Sequence, residues 1–145
     1  MNRTRLTLCC ALVVYATACA VVVPPVRAER LPIQTLTSAD GLAGDRIDAI
    51  LADSRGFVWF GTSEGLSRFD GHEFVSYILD QGLPYRGVSA LLETRRGDLW
   101  IGSRGRVCRL NPRGVERFTC APTEVDTTVG VVEALHEDRA GRIWA

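Results

Sequence analysis

From Ile47 onward, apolar residues come in short runs separated by Gly- and Asp-containing punctuation. Ile47 to Ala52 is apolar with one acid, and Asp53-Ser54-Arg55-Gly56 follows, with Asp first and Gly last as a type I turn prefers. Phe57 to Thr62 is aromatic and β-branched, which predicts a strand. Phe57 and Trp59 alternate with Val58 and Phe60, so both faces of that strand are apolar and both must be covered. Ser63-Glu64-Gly65 turns the chain, Leu66 to Phe69 is a third strand, and Asp70-Gly71 is a hairpin signal. Glu73 to Ile78 is a fourth strand, and Asp80-Gln81-Gly82-Leu83-Pro84 is a connection. Turn residues recur too often to leave room for an amphipathic helix.

The pattern repeats. Gly56-Phe57-Val58-Trp59-Phe60-Gly61-Thr62 returns as Gly97-Asp98-Leu99-Trp100-Ile101-Gly102-Ser103 and begins again as Gly141-Arg142-Ile143-Trp144-Ala145, at spacings of 41 and 44 residues. All three Trp fall at the same place in the unit, and Ala49, Ala90 and Ala134 align upstream. Asp53, Thr94 and Asp138 align three residues before the repeat Gly. A short four-stranded sheet cannot bury two apolar faces alone, but sheets packed side by side around an axis cover one another. The expected fold is therefore all-β: four-stranded antiparallel β-propeller blades of 41–44 residues, incomplete, preceded by a signal or anchor helix. A β-sandwich offers no reason for a self-match at this period. The recurrent Gly56, Trp59, Gly61, Gly97, Trp100, Gly102, Gly141 and Trp144 are expected to be structural, with the Trp side chains packing between blades.

The first thirty residues differ from the rest. Arg3 and Arg5 precede an almost wholly apolar stretch from Leu6 to Val23, ended by Pro24-Pro25 and followed by Val26-Arg27-Ala28. This reads as an export signal cut after Ala28, with an uncleaved signal-anchor as the alternative. A lipoprotein reading through Ala16-Thr17-Ala18-Cys19 is disfavoured by the apolar residues that follow the Cys. The expected division is 1–28 leader, 29–40 lead-in, 41–81 first blade, 82–125 second blade and 126–145 the start of a third. Such an incomplete array exposes strand edges and an apolar face, which predicts that the isolated fragment is prone to aggregate or is partly unfolded.

The formal charge is zero, so nothing points to nucleic acid. The 17 basic residues are all Arg, which excludes lysine chemistry of every kind. Removal of residues 1–28 takes away three Arg and no acid, leaving a slightly acidic remainder. His72 and His136 occupy different places in the unit and share no ligand spacing with the cysteines, so neither metal nor cofactor is expected. Of the five Cys, Cys9, Cys10 and Cys19 lie in the leader. An exported compartment permits a Cys108–Cys120 disulfide. A tight turn at Asn111 to Gly114 would instead place Cys108 opposite a residue near Arg117, and two free thiols are expected on that register.

Asp53-Ser54-Arg55-Gly56-Phe57-Val58-Trp59-Phe60-Gly61-Thr62-Ser63-Glu64-Gly65-Leu66-Ser67-Arg68-Phe69-Asp70-Gly71 resembles the two-component regulator propeller repeat. Ala39-Asp40-Gly41-Leu42 is similar to the start of such a domain. The second unit departs from the pattern, with Arg106-Val107 in place of Gly-Leu and Gly105 shifted one position. The resemblance implies the extracytoplasmic sensor region of a membrane-bound sensor or hybrid histidine kinase, held at the inner membrane by a signal-anchor or a downstream span and dimeric in the full-length protein. The chain has no phospho-acceptor His context and no nucleotide-binding Gly box, so no catalytic module is expected within it.

In an up-and-down blade, the loop entering the first strand and the loop between the second and third lie at one end. Arg46, Glu64, Tyr85, Arg86 and Arg104 belong to these loops and form the candidate ligand mouth. Its partner class is open at this stage: a small molecule, a glycan or an envelope protein. The competing readings are a secreted propeller enzyme such as a lyase, and a structural or interaction propeller of the cell envelope.

Overall fold

The structure, a computed structural model, describes residues 33–111, 114, 116–121 and 130–145. The signal or anchor helix expected over residues 1–28 lies outside the described residues. Among them the chain forms two four-stranded antiparallel sheets and one two-stranded sheet, with only two short 3-10 turns at Ser38–Asp40 and Leu79–Gln81. The first sheet contains β1 (Ile47–Ala52), β2 (Val58–Thr62), β3 (Leu66–Phe69) and β4 (Phe74–Tyr77) in sequential order. The second repeats the order with β5 (Ala90–Glu93), β6 (Leu99–Ser103), β7 (Arg106–Leu110) and β8 (Phe118–Cys120). A third begins with β9 (His136–Glu137) and β10 (Ile143–Trp144).

The sequence punctuation sets these elements. At each repeat turn the Gly N–H donates three residues back: Gly56 to the Asp53 carbonyl, Gly97 to Thr94 and Gly141 to Asp138. The three glycines sit at φ of 89°, 79° and 80°, which an L side chain disfavours. The loop after β2 and the loop after β6 have equal length but different devices. Thr62 Oγ1 accepts the Gly65 N–H at 3.0 Å in the first, whereas Gly105 turns the second at φ 66°. The shifted Gly thus marks a different turn at the same place.

The core lies between the sheets. Trp59, Leu66 and Tyr77 of the first sheet close against Leu99, Ile101, Leu110 and Phe118 of the second, with Leu83 and Val88 of the connection filling the gap. Trp59 is 1% exposed and stacks on Tyr77 with ring centroids 6.2 Å apart. A Cβ on Gly61 would stand 2.5 Å from the Val88 carbonyl oxygen, so Gly is what lets the next sheet approach. At Gly102 a Cβ would instead meet the Val132 side chain, 2.6 Å from its Cγ1.

One expectation is overturned. Cys108 and Cys120 form a disulfide. The turn between β7 and β8 is wider than the Asn111–Gly114 turn that predicted free thiols: the Asn111 N–H donates to the Arg117 carbonyl, so pairing resumes at Leu110 opposite Phe118 and Cys108 opposite Cys120. The Ala121 N–H to the Val107 carbonyl bounds the same stretch, which makes the cysteines a non-hydrogen-bonded pair, the kind that brings side chains closest.

Candidate functional site

Backbone bonds bring the candidate loops to one rim. The Ser63 N–H donates to the Arg46 carbonyl at 3.2 Å, and the Val88 N–H to the Thr62 carbonyl at 2.9 Å. Ser103 Oγ donates to the Gly87 carbonyl at 2.6 Å. The Gly105 N–H donates to Gly130 at 3.1 Å, and Arg104 bridges to Val131. Each sheet therefore fixes its own β2–β3-type turn and also the segment entering the next sheet.

On this rim Arg86 Nη1 lies 3.0 Å from Glu64 Oε2, an ion pair that spans the two units with both side chains largely exposed. Such a pair adds little stability in water and leaves its donors and acceptors available to a ligand. The Tyr85 ring is covered by the Arg106 guanidinium at 4.9 Å. Arg46 pairs within its own segment with Asp48 at 3.0 Å. Arg104 is exposed beside Val131. The structure thus joins Glu64 to Arg86 and places Tyr85 and Arg104 nearby, while Arg46 is engaged by its neighbour. Arg106 and Asp48 are rim residues that sequence reasoning missed; Arg106 stood only as a departure from the repeat. Guanidinium donors, carboxylate acceptors and one aromatic ring suit a polar, hydroxylated or charged ligand. No group of His, Cys, Asp and Glu able to hold a metal occurs among the described residues.

The carboxylates held below their ordinary pKa lie elsewhere and are structural: Asp53 and Asp138 at the repeat turns, Glu137 at the end of β9, and Asp70 at the hairpin between β3 and β4, where the Glu73 and His72 N–H groups lower it. Burial pushes the Asp53 pKa up, but the Trp59 indole, the Phe57 N–H and Arg55 outweigh it and hold the carboxylate below its ordinary value. The Arg142 N–H and then the Trp144 indole lower Asp138 to about 2. Glu137 is lowered first by the Arg95 N–H. A second concavity, lined by Gln81, Gly82, Pro84, Glu116, Arg117 and Cys120 among others, opens beside the disulfide.

Comparison with known proteins fits this geometry. The family model described as two component regulator propeller matches residues 41–64 and 82–105. The extracellular domain assigned to the hybrid two component system BT3049 of B. thetaiotaomicron superposes with a TM-score of 0.62 at 19% identity, over 77% of this chain and 16% of that one. The extracellular domain assigned to the one component system BT4673 of the same organism gives 0.53 at 26% identity, over 65% of this chain and 13% of the other. The chain therefore spans less than a fifth of either. No curated protein matches it. At residues 41–64 and 82–105 the chain matches the two-component regulator propeller repeat, and a third hairpin repeats the same Trp and turn Gly.

Proposed function

We propose that this chain is part of the extracytoplasmic sensing propeller of a two-component signalling protein attached to the inner membrane, and that its rim recognises a polar ligand. The observation that carries the reading is the repeat itself, found in a fold similar to the extracellular domains of two bacterial signalling systems. The apolar stretch from Leu6 to Val23 with its basic flank supports export. Recognition, not chemistry, is the task in this reading: the rim offers Glu64, Tyr85, Arg86 and Arg104 as contacts, and a glycan, a small molecule or an envelope protein supplies the other half. The experiment is labelling of a Glu64→Cys variant in intact cells with a membrane-impermeant maleimide. Labelling before lysis, above the level of the unsubstituted chain, is expected. Labelling only after lysis would overturn the extracytoplasmic assignment.

A further inference from the structure

The rim changes its chemistry from one unit to the next. Tyr85, Arg86, Arg104 and Arg106 stand 41 residues after Gly44, Asp45, Ser63 and Gly65. Both units build a four-stranded sheet in the same order, so the repeat itself does not require the later side chains. At Gly65 a Cβ would stand 2.5 Å from the Tyr77 carbonyl oxygen, and the first unit admits no side chain there. The second unit turns at Gly105 instead and carries Arg106 at that place.

The four residues form one patch at the junction of the first and second units. Ser103 Oγ donates to the Gly87 carbonyl at 2.6 Å, with the Arg86 carbonyl oxygen 3.3 Å away, which ties the segment holding Tyr85 and Arg86 to the loop holding Arg104. The Arg106 guanidinium lies over the Tyr85 ring, a contact that engages its charge and leaves N–H donors for an oxyanion. Arg86 gives Nη1 to Glu64 and keeps its remaining donors. Three cations thus surround one ring, and among the described residues one carboxylate, Glu64, pairs with them. The residues after Ala28 are slightly acidic as a whole, so this gathering of cations runs against the balance of the chain.

Resting on the reading of this rim as the sensing site, we infer that its ligand is an acidic glycan whose carboxylate or sulfate groups are held by Arg86, Arg104 and Arg106. The planar guanidinium fork matches either oxyanion. A small molecule is normally enclosed in a concave pocket, whereas Arg86, Glu64 and Arg104 stand on an open rim with exposed side chains. A protein partner would centre on apolar anchors, and the one aromatic ring of the patch is already covered by Arg106. An extended chain of hydroxylated rings that repeats its charge fits three cations spread over two loops.

The test is calorimetric titration of the purified intact signalling protein with dextran, carboxymethyl-dextran and dextran sulfate oligosaccharides, which share one backbone. Arg86→Asp with Arg104→Ser installs the first unit's own residues, and strand circular dichroism checks the fold. Arg96→Ala with Arg139→Ala removes as many arginines at the opposite turns. The charged dextrans are expected to bind wild type and this control alike, and more weakly as salt is raised. The rim variant is expected to bind them about tenfold more weakly or less, as loss of charged hydrogen bonds does. Neutral dextran is expected not to bind, and the tighter of the two charged forms identifies the oxyanion. Neutral dextran bound as tightly as the charged forms, and lost in the rim variant, would overturn the acidic ligand while the rim remained the site. Charged dextrans bound equally by the rim variant and the control would overturn both. Absence of binding by either charged form would overturn the acidic glycan, whatever signalling response the rim variant retains.

Discussion

Asp53 Oδ2 accepts the indole N–H of Trp59 at 3.0 Å, and the two side chains are buried together. The same bond recurs between Asp138 and Trp144 at 3.0 Å. The second unit has Thr94 at the Asp position, where its hydroxyl accepts the Asp98 N–H. The turn acid therefore has two tasks: its other oxygen, Oδ1, closes the turn through the Arg55 and Phe57 N–H groups, while Oδ2 anchors the Trp that packs between sheets. Asp53→Ala leaves a buried indole N–H without a partner and should destabilise the chain by about 1–3 kcal/mol. Thr94→Asp offers Trp100 the acceptor it lacks in this unit and should stabilise by about 0.5–1.5 kcal/mol. Urea unfolding followed by Trp fluorescence measures both, and an unchanged midpoint for Asp53→Ala would contradict the anchoring role.

These bonds make stability depend on acid in a definite direction. Asp53 and Asp138 have folded pKa values below the unfolded value of 3.8, so each contributes fully above that value. The contribution is lost as pH falls through the lowered value, which for Asp138 is about 2. Glu137, lowered from 4.5, adds to the same slope. Melting temperature should therefore fall as pH is taken from about 4.5 toward 2, and Asp53→Asn with Asp138→Asn should flatten that fall. An equally steep profile in the double variant would rule out these two groups as its source.

The disulfide occupies a position that the first sheet fills differently. Cys108–Cys120 corresponds by register to Ser67–Ser76, whose hydroxyls lie 2.7 Å apart. Ser67 Oγ accepts the Ala43 N–H and Ser76 Oγ donates to the Gly41 carbonyl, tying the lead-in to the sheet. The second unit has Pro84 at the Ala43 position and so has no N–H to give. The Cys pair thus replaces a hydroxyl pair where its backbone donor is missing. Cys108→Ser with Cys120→Ser should lose about 3 kcal/mol of cross-link stabilisation but keep about 0.5–1.5 kcal/mol more than the double Ala variant. Thermal melts of the two variants compare them directly; equal stability would mean that the serines do not pair.

Most of the fold could be read from the sequence because it is written locally. β1 and β3 span the residues expected of them, and β2 and β4 are only trimmed at their ends, because Asp and Gly at the turns fix where each strand stops. The disulfide escaped because it depends on the width of the loop after Leu110, where Asn-Pro-Arg-Gly mimics a tight turn. The Asp–Trp bond escaped because a turn acid already has a sufficient local explanation. Glu93 and Glu137 left a signal, a shared place in the repeat, yet their donors lie in the preceding unit, and periodicity alone does not say which residues face each other across a junction. The rim was legible as a set of loops. Its pairings, Glu64 with Arg86 and Tyr85 with Arg106, depend on how one sheet sits on the next.

The central claim, that the rim is where a two-component sensor meets its ligand, is tested most directly by Arg86→Ala with Arg104→Ala in the intact signalling protein. The measurement is transcription of its regulated genes in cells challenged with a panel of polysaccharides and small polar metabolites. The pair Arg96→Ala with Arg139→Ala, exposed at the opposite turns, serves as control. Loss of the response in the rim variant, with unchanged protein in the envelope and a normal response in the control, is the predicted result. A full response from the rim variant would contradict the claim.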